Sequence, residues 1–586
     1  MFKLFKNFTK KDIGMIIVSI VLVVFQVWLD LKLPDYMSAI TRLVQTDGAA
    51  MADILRQGGY MLLCAFGSLI SACIVGFLAS NLSANFSYTL RSKVYNKVLN
   101  LSTAEIKQFQ TSSLITRTTN DITQLEMLIS IGLQLLIKAP IMAVWAITKI
   151  LNKSIEWSML TAGCVVILLC VVIGLMLIVL PRFEKVQKLI DKINNVTRES
   201  ITGIRVIRAF NAEKYQENRF EKVNDDLTNM QLFNQKCFAI LNPIMMLVMN
   251  GLTLGIYVIG TYLINNAIIS VKISLFSDMV IFSSYGIQVI MSFLMLAMIF
   301  MMWPRAQISA RRINEVLDCK VSIEDGKDDI KPTEVGTVEF KNVSFKYPDA
   351  DEYLLRNISF KVNKGETIAF IGSTGSGKSS LINLVPRFYD ATDGEVLVDG
   401  VNVKNYSLEE LHNKLGYIPQ KAVMFTGTVK SNVAYGTKKG KKPSDKKVSE
   451  AINIAQAEEF VSKMEGGLDA HIARGGTNVS GGQKQRLAIA RSIARDPEIY
   501  IFDDSFSALD YKTDATLRSE LKKYTKDATS MIVAQRIGTI INADKIVVLD
   551  KGTCVGIGTH QELLKNCEVY KEIALSQLSK EELENA

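Results

Sequence analysis

The stretch Ile371-Gly372-Ser373-Thr374-Gly375-Ser376-Gly377-Lys378-Ser379-Ser380 constrains this chain more than any other. It satisfies the pattern G-x-x-x-x-G-K-S/T, with Gly372, Gly377, Lys378 and Ser379 at the fixed positions, between an apolar β-type run at 367–371 and a helix-like segment from Ser379. Strand, loop and helix in that order make a phosphate loop. Its glycines let backbone N–H groups turn inward, the helix start adds its positive end, Lys378 reaches outer phosphates, and Ser379 offers a hydroxyl to Mg²⁺. The segment therefore predicts binding of a nucleoside triphosphate within an α/β domain.

The 586 residues are too many for one domain, and their composition divides them. Residues 1–304 carry uncharged stretches of bilayer length, 305–335 contain Arg305, Arg311, Arg312 and a polar run ending before Pro332, and 336–586 alternate strand-like and helix-like segments. We expect a six-span membrane domain, a linker and a nucleotide-binding domain, in that order. The first apolar run, Ile13 to Leu29, is 17 residues without a charge, and no small-residue cleavage site follows it, so it reads as a retained membrane helix. Further spans fall within 58–79, 157–180, 238–271 and 273–303. The third, 135–150, is short and flanked by Lys138 and Lys149. An even number of spans keeps both ends on one side. Segments 81–134 and 183–236 are long, basic and helix-like, so the positive-inside rule puts them and both termini in the cytoplasm.

The net charge of +9 is placed beside apolar segments, which points to membrane lipid and not to nucleic acid. The eight cysteines are scattered without paired spacing, so neither a disulfide framework nor a metal cluster is expected.

Downstream of the phosphate loop, Glu498-Ile499-Tyr500-Ile501-Phe502-Asp503-Asp504 is a buried-strand pattern ending in two carboxylates, which suits Asp503 to Mg²⁺. Gln420 and the run Val479-Ser480-Gly481-Gly482-Gln483 lie between them. Together these residues resemble the ATP-binding-cassette (ABC) transporters, and six spans ahead of one cassette resemble the exporter-type half-transporters. The resemblance covers nearly the whole chain. It implies a membrane all-α six-helix domain fused to an α/β cassette, with ATP and Mg²⁺ as ligands. It further implies that Tyr347 stacks on adenine, that Gln420 senses Mg²⁺ and the attacking water, and that Ser480, Gly481, Gly482 and Gln483 face the γ-phosphate of an ATP held by a second half-transporter.

Three positions depart from the family pattern: Arg474, where many exporters have Glu shortly before the signature, and two that bear on hydrolysis. Position 504 is Asp where an active cassette has the catalytic Glu, and a carboxylate one methylene shorter falls short of the water in line with the γ-phosphate. Position 535 is Gln where the family has its switch histidine, and an amide carries neither the proton nor the charge of imidazole. The expectation is a slow site on this chain's own phosphate loop and an active one on the partner's, completed by this chain's signature motif, as in the degenerate-site subunit of a heterodimeric bacterial multidrug exporter at the plasma membrane. The alternatives are a non-hydrolysing regulatory subunit, a homodimeric or dedicated lipid or peptide transporter, and import through the same fold. In the sixth span Ser284, Gln288, Met291, Met295, Met298 and Met302 share one helix face. That face fits an amphipathic small-molecule or lipid substrate, and equally fits packing against neighbouring helices.

Overall fold

The computed structural model describes residues 2–6, 8–46, 48–151, 155–326, 332–436, 438 and 440–577. The chain forms two compact units. One comprises Met1–Leu99 with Thr111–Cys319, the other Asn100–Gln110 with Lys320–Ala586.

Among the described residues the first unit holds six helices long and apolar enough to cross a membrane. They are α1 (Lys10–Gln45), α2 (Met51–Leu99), then, after the short α3 (Thr103–Phe109) of the other unit, α4 (Asn120–Leu151), α5 (Ile155–Thr202), α6 (Glu213–Asn266) and α7 (Ile269–Leu317). The 54 residues of α6 span about 80 Å, far more than the ~30 Å of a hydrocarbon core, so the helices continue well outside the bilayer. Helix α1 packs on α2, α4 on α7, and α5 on α6. Helix α7 runs through Arg305, Arg311 and Arg312 to Leu317, where a linker was expected from residue 305. The arginines are good helix formers, and Ala306, Ala310, Ile313 and Val316 bury a continuous helical stripe there. Residues 327–331, within the expected linker, lie outside the described residues.

The lysines flanking the third span are paired. Lys138 Nζ is 3.0 Å from Asp30 and Lys149 Nζ is 2.9 Å from Asp35, both carboxylates on α1. Ser68 of α2 also donates to Asp30, and Tyr285 of α7 donates to Asp35 at 2.6 Å. The Asp30 carboxylate is thus held by side chains of two other helices, α2 and α4, and is only 18% exposed.

In the second unit the central sheet has six strands, ordered β10-β9-β3-β8-β7-β6. These are β3 (Thr367–Gly372), β6 (Leu415–Ile418), β7 (Ile499–Asp503), β8 (Thr529–Val533), β9 (Lys545–Asp550) and β10 (Thr553–Gly558). All are parallel except β10 on the edge. Strand β7 is buried at every position, as a parallel strand covered on both faces must be. A smaller antiparallel sheet contains β1 (Val338–Phe345), β2 (Leu355–Val362), β4 (Asp393–Val398) and β5 (Val401–Asn402). Phe340 and Phe360, partners in the β1–β2 register, stack at 4.5 Å in the core beneath the main sheet.

Candidate nucleotide site

Four adjacent parallel strands end on one edge of the sheet, and each delivers one part of the site. Strand β3 runs into the glycine-rich loop, β8 leads to Gln535, β7 ends at Asp503 and Asp504, and β6 leads to Gln420. Ligands of open parallel sheets bind beyond these carboxyl ends.

After β3 the chain turns at Gly375 and Gly377, with φ of +85° and +94°, and enters α8 (Lys378–Ile382). A Cβ at Gly372 would collide with the Leu549 carbonyl, and one at Gly377 would meet Leu355. Only glycines make the loop this tight. Lys378 Nζ donates to the carbonyl oxygens of Gly372 and Ser373, each at 2.8 Å, so the ammonium sits inside the loop's own curve. Burial lowers its pKa, with Asp504 and Asp503 opposing that shift. Ser373, Thr374 and Gly375 are exposed and Ser376 is buried.

Ser379 Oγ donates to Asp503 Oδ1 at 2.7 Å. Burial raises the Asp503 pKa and the neighbouring Asp504 adds to it, while the Ser379 hydroxyl works the other way. A hydroxyl and a buried carboxylate side by side are the hard oxygen donors that Mg²⁺ prefers, so Ser379 and Asp503 fit that ion. Asp504 is held differently. Its Oδ2 accepts from Gln535 Nε2 at 2.9 Å and from Gln420 Nε2 at 3.2 Å. Its backbone is left-handed, φ +47°, and its N–H donates to Val533 O. Asp504, Gln420 and Gln535 thus form one hydrogen-bonded group beside the Ser379–Asp503 pair. The Tyr347 hydroxyl pairs with Ser380 Oγ at 2.7 Å, tying that ring to the end of the loop.

The second cluster of expected residues lies apart from this edge. Ser480 caps α9 (Gly481–Arg495), accepting from Gln483 N while Gln483 Oε1 accepts from Ser480 N at 2.9 Å. The S-x-x-Q spacing is a capping box, readable in the sequence but not taken up there. Ser480 and Gly481 are exposed, and space around Gly481 is open within 4 Å. The helix therefore presents its unpaired N–H groups outward, where an anion from another molecule can meet them.

Three residues near the site escaped sequence reasoning. Gln577, at the end of α10 (Glu568–Gln577), donates to Gln535 O at 2.8 Å and accepts from Ile537 N at 2.9 Å, fixing the segment that carries Gln535. Lys107 and Tyr389 lie beside Tyr347, at 5.3 Å and 5.2 Å from its ring. No short motif marks any of the three. Among the described residues there is no cluster of three or more His, Cys, Asp or Glu able to hold a further metal.

Residues 16–293 match the family described as ABC transporter transmembrane region, and residues 355–507 match the family described as ABC transporter. An uncharacterized ABC transporter ATP-binding protein of Mycobacterium tuberculosis is 37% identical over 554 residues, covering 92% of this chain and 93% of that protein. The ATP-dependent lipid A-core flippase of Mannheimia succiniciproducens is 30% identical over 507 residues, covering 86% and 85%. The fold is that of a bacterial Atm1-family ABC exporter solved with ATP bound, at a TM-score of 0.82 and 24% identity, over 96% of this chain and 99% of that one.

Proposed function

Since the chain belongs to the ABC transporter family, with a transmembrane region and an ATP-hydrolysing cassette in one multi-pass membrane polypeptide, we propose that it is the degenerate-site half of a heterodimeric exporter. Its own phosphate loop holds MgATP and turns it over slowly. Its signature residues Ser480, Gly481, Gly482 and Gln483 complete the active site on the partner's phosphate loop, where most hydrolysis occurs.

The observation that carries this reading is the state of Asp504. Its Oδ2 is engaged by two amides, Gln535 and Gln420, and the side chain is one methylene shorter than the glutamate an active cassette uses. A general base must lie within hydrogen-bond reach of the water it activates, and a 1 Å error can cost about 10²-fold. Neither amide can take up the proton in its place. Binding is built differently and is intact. Tyr347 would stack on the base, the N–H groups from Ser373 to Ser380 would line the phosphates with Lys378, and Ser379, Asp503 and Gln420 would hold Mg²⁺. The metal supplies charge neutralisation between the outer phosphates when bound.

An amphipathic cargo, lipid or drug-like, is supported by the named activity of the flippase relative. An apolar cavity of about 80 Å³ is lined by Leu168, Val172, Leu241, Met245, Ile290 and Phe293 of α5, α6 and α7. It takes in Met245 but not the methionine face of the sixth span, where Met291 and Met298 are exposed. The cytoplasmic side for both termini is supported by the basic long segments, and a plasma membrane by the half-transporter layout and the bacterial source of the relatives.

The test is to co-purify the complex and change the glutamate after the partner's Mg²⁺-binding aspartate to Gln. Turnover and transport should then collapse, although this chain's phosphate loop is untouched. Transport that persists would contradict the reading.

A further inference from the structure

Residues 100–110 lie between two membrane helices in the chain, yet they pack with the cassette. Their attachment is specific. Ser102 and Glu105 cap α3 reciprocally, Glu105 also accepts from Ser322 N at 3.3 Å, the Ser102 and Ser322 hydroxyls pair at 3.1 Å, and Ala104 packs against the buried core. One turn further on, Lys107 Nζ lies over two aromatic rings, 5.3 Å from the centroid of Tyr347 and 5.7 Å from that of Tyr389.

Tyr347 is a fixed ring. Phe345 and Tyr389 stand edge-on to it at 5.0 Å and 5.2 Å, and its hydroxyl is tied to Ser380 at the end of the phosphate loop. An aromatic face attracts a cation through its quadrupole and attracts a purine by stacking. One face does not serve both at once. We propose that Lys107 and the adenine of ATP compete for the face of Tyr347, so that the first cytoplasmic loop registers whether this chain's nucleotide site is filled. The inference rests on Tyr347 as the base-stacking residue. It does not depend on where hydrolysis occurs. Filling the site releases the ammonium from the Tyr347 ring, while α3 keeps its Ser102, Ala104 and Glu105 contacts.

The experiment uses the full chain, with whatever subunit accompanies it, in lipid nanodiscs. Binding is read on this chain's own band by photolabelling with 8-azido-ATP and competition with MgATP. Lys107→Gln removes the charge and leaves a polar side chain one atom shorter, and should lower the half-displacing MgATP concentration by about two- to fivefold, the range expected of a partly exposed cation–π contact. Lys107→Arg, whose guanidinium stacks better, should raise it. A mere loosening of α3 would move both variants the same way. Tyr347→Leu should weaken binding and abolish both shifts. In the unmodified chain, MgATP should increase acetylation of Lys107 by acetic anhydride, read by mass spectrometry. Unchanged or weakened binding in Lys107→Gln overturns the competition, and unchanged binding in Tyr347→Leu overturns the stacking role beneath it.

Discussion

The cassette carries two surfaces that the proposed function assigns to nucleotide, and they are built differently. On the sheet edge, the glycine-rich loop, Lys378, Ser379 and Asp503 come together, while the two positions to which the proposal assigns hydrolysis are Asp504 and Gln535, bonded to each other at 2.9 Å. At the start of α9, Ser480 to Gln483 retain the family pattern, and the capping box holds that helix terminus open to an outside ligand. A chain relieved of all hydrolysis has no reason to keep the second surface. On the proposed reading, its presence beside the first surface is what a cassette would need if it acted mainly on a nucleotide held by another molecule.

The contrast is broken most strongly at the signature. Gly481→Asp meets open space in the fold, so the cassette should remain stable, while a carboxylate aimed at the partner's γ-phosphate should cut ATP turnover of the complex by about 10²-fold or more, read by phosphate release. A matching loss on the other surface should appear as instability. Gly372→Ala drives a methyl into the Leu549 carbonyl, and chemical denaturation of the full chain should show the cassette transition weakened by about 3 kcal/mol.

A gain should come from the double change Asp504→Glu with Gln535→His. It restores reach and a titratable switch, and with the partner's site disabled it should raise residual turnover by about tenfold, well short of the full effect of a positioned general base. Asp504→Asn alone should change turnover of the complex less than about threefold, within what a spectator position allows.

The smallest effect is one of pH. His412 bonds the Pro386 carbonyl, and His560 pairs with Tyr570 while its Nε2 is buried without a partner among the described residues. Burial lowers both pKa values. Each histidine is therefore neutral in the fold and would rather be charged when unfolded. Their contribution is complete above the ordinary histidine pKa of 6.5 and is lost as pH falls below it. Thermal unfolding of the cassette should drop by a few degrees from pH 7 to 5.5, and His560→Gln should flatten that slope while leaving nucleotide binding unchanged.

Much of this molecule was legible in the sequence because its strongest signals are local. The loop from Gly372 to Ser380 is a contiguous motif, and a bilayer-length apolar run fixes a helix wherever it occurs. What was not legible depends on partners far apart in the chain. Lys138 and Lys149 made the third span look weak, since nothing local reveals that Asp30 and Asp35 lie across from them. The helix through Arg305 to Leu317 read as linker because its charges hide a buried stripe of four small or branched residues. Gln577 and Lys107 sit 42 and 240 residues from the positions they touch, and a lone glutamine or lysine carries no pattern.

The subunit composition of the complex tests the central claim most directly. It should be purified from native membranes through a tag on this chain and read by intact mass. A second half-transporter, with glutamate after its Mg²⁺-binding aspartate and histidine in its switch, is the predicted result. This chain alone, at twice its own mass and with sustained ATP turnover, would contradict the account, because Asp504 and Gln535 would then have to support the hydrolysis assigned to a partner.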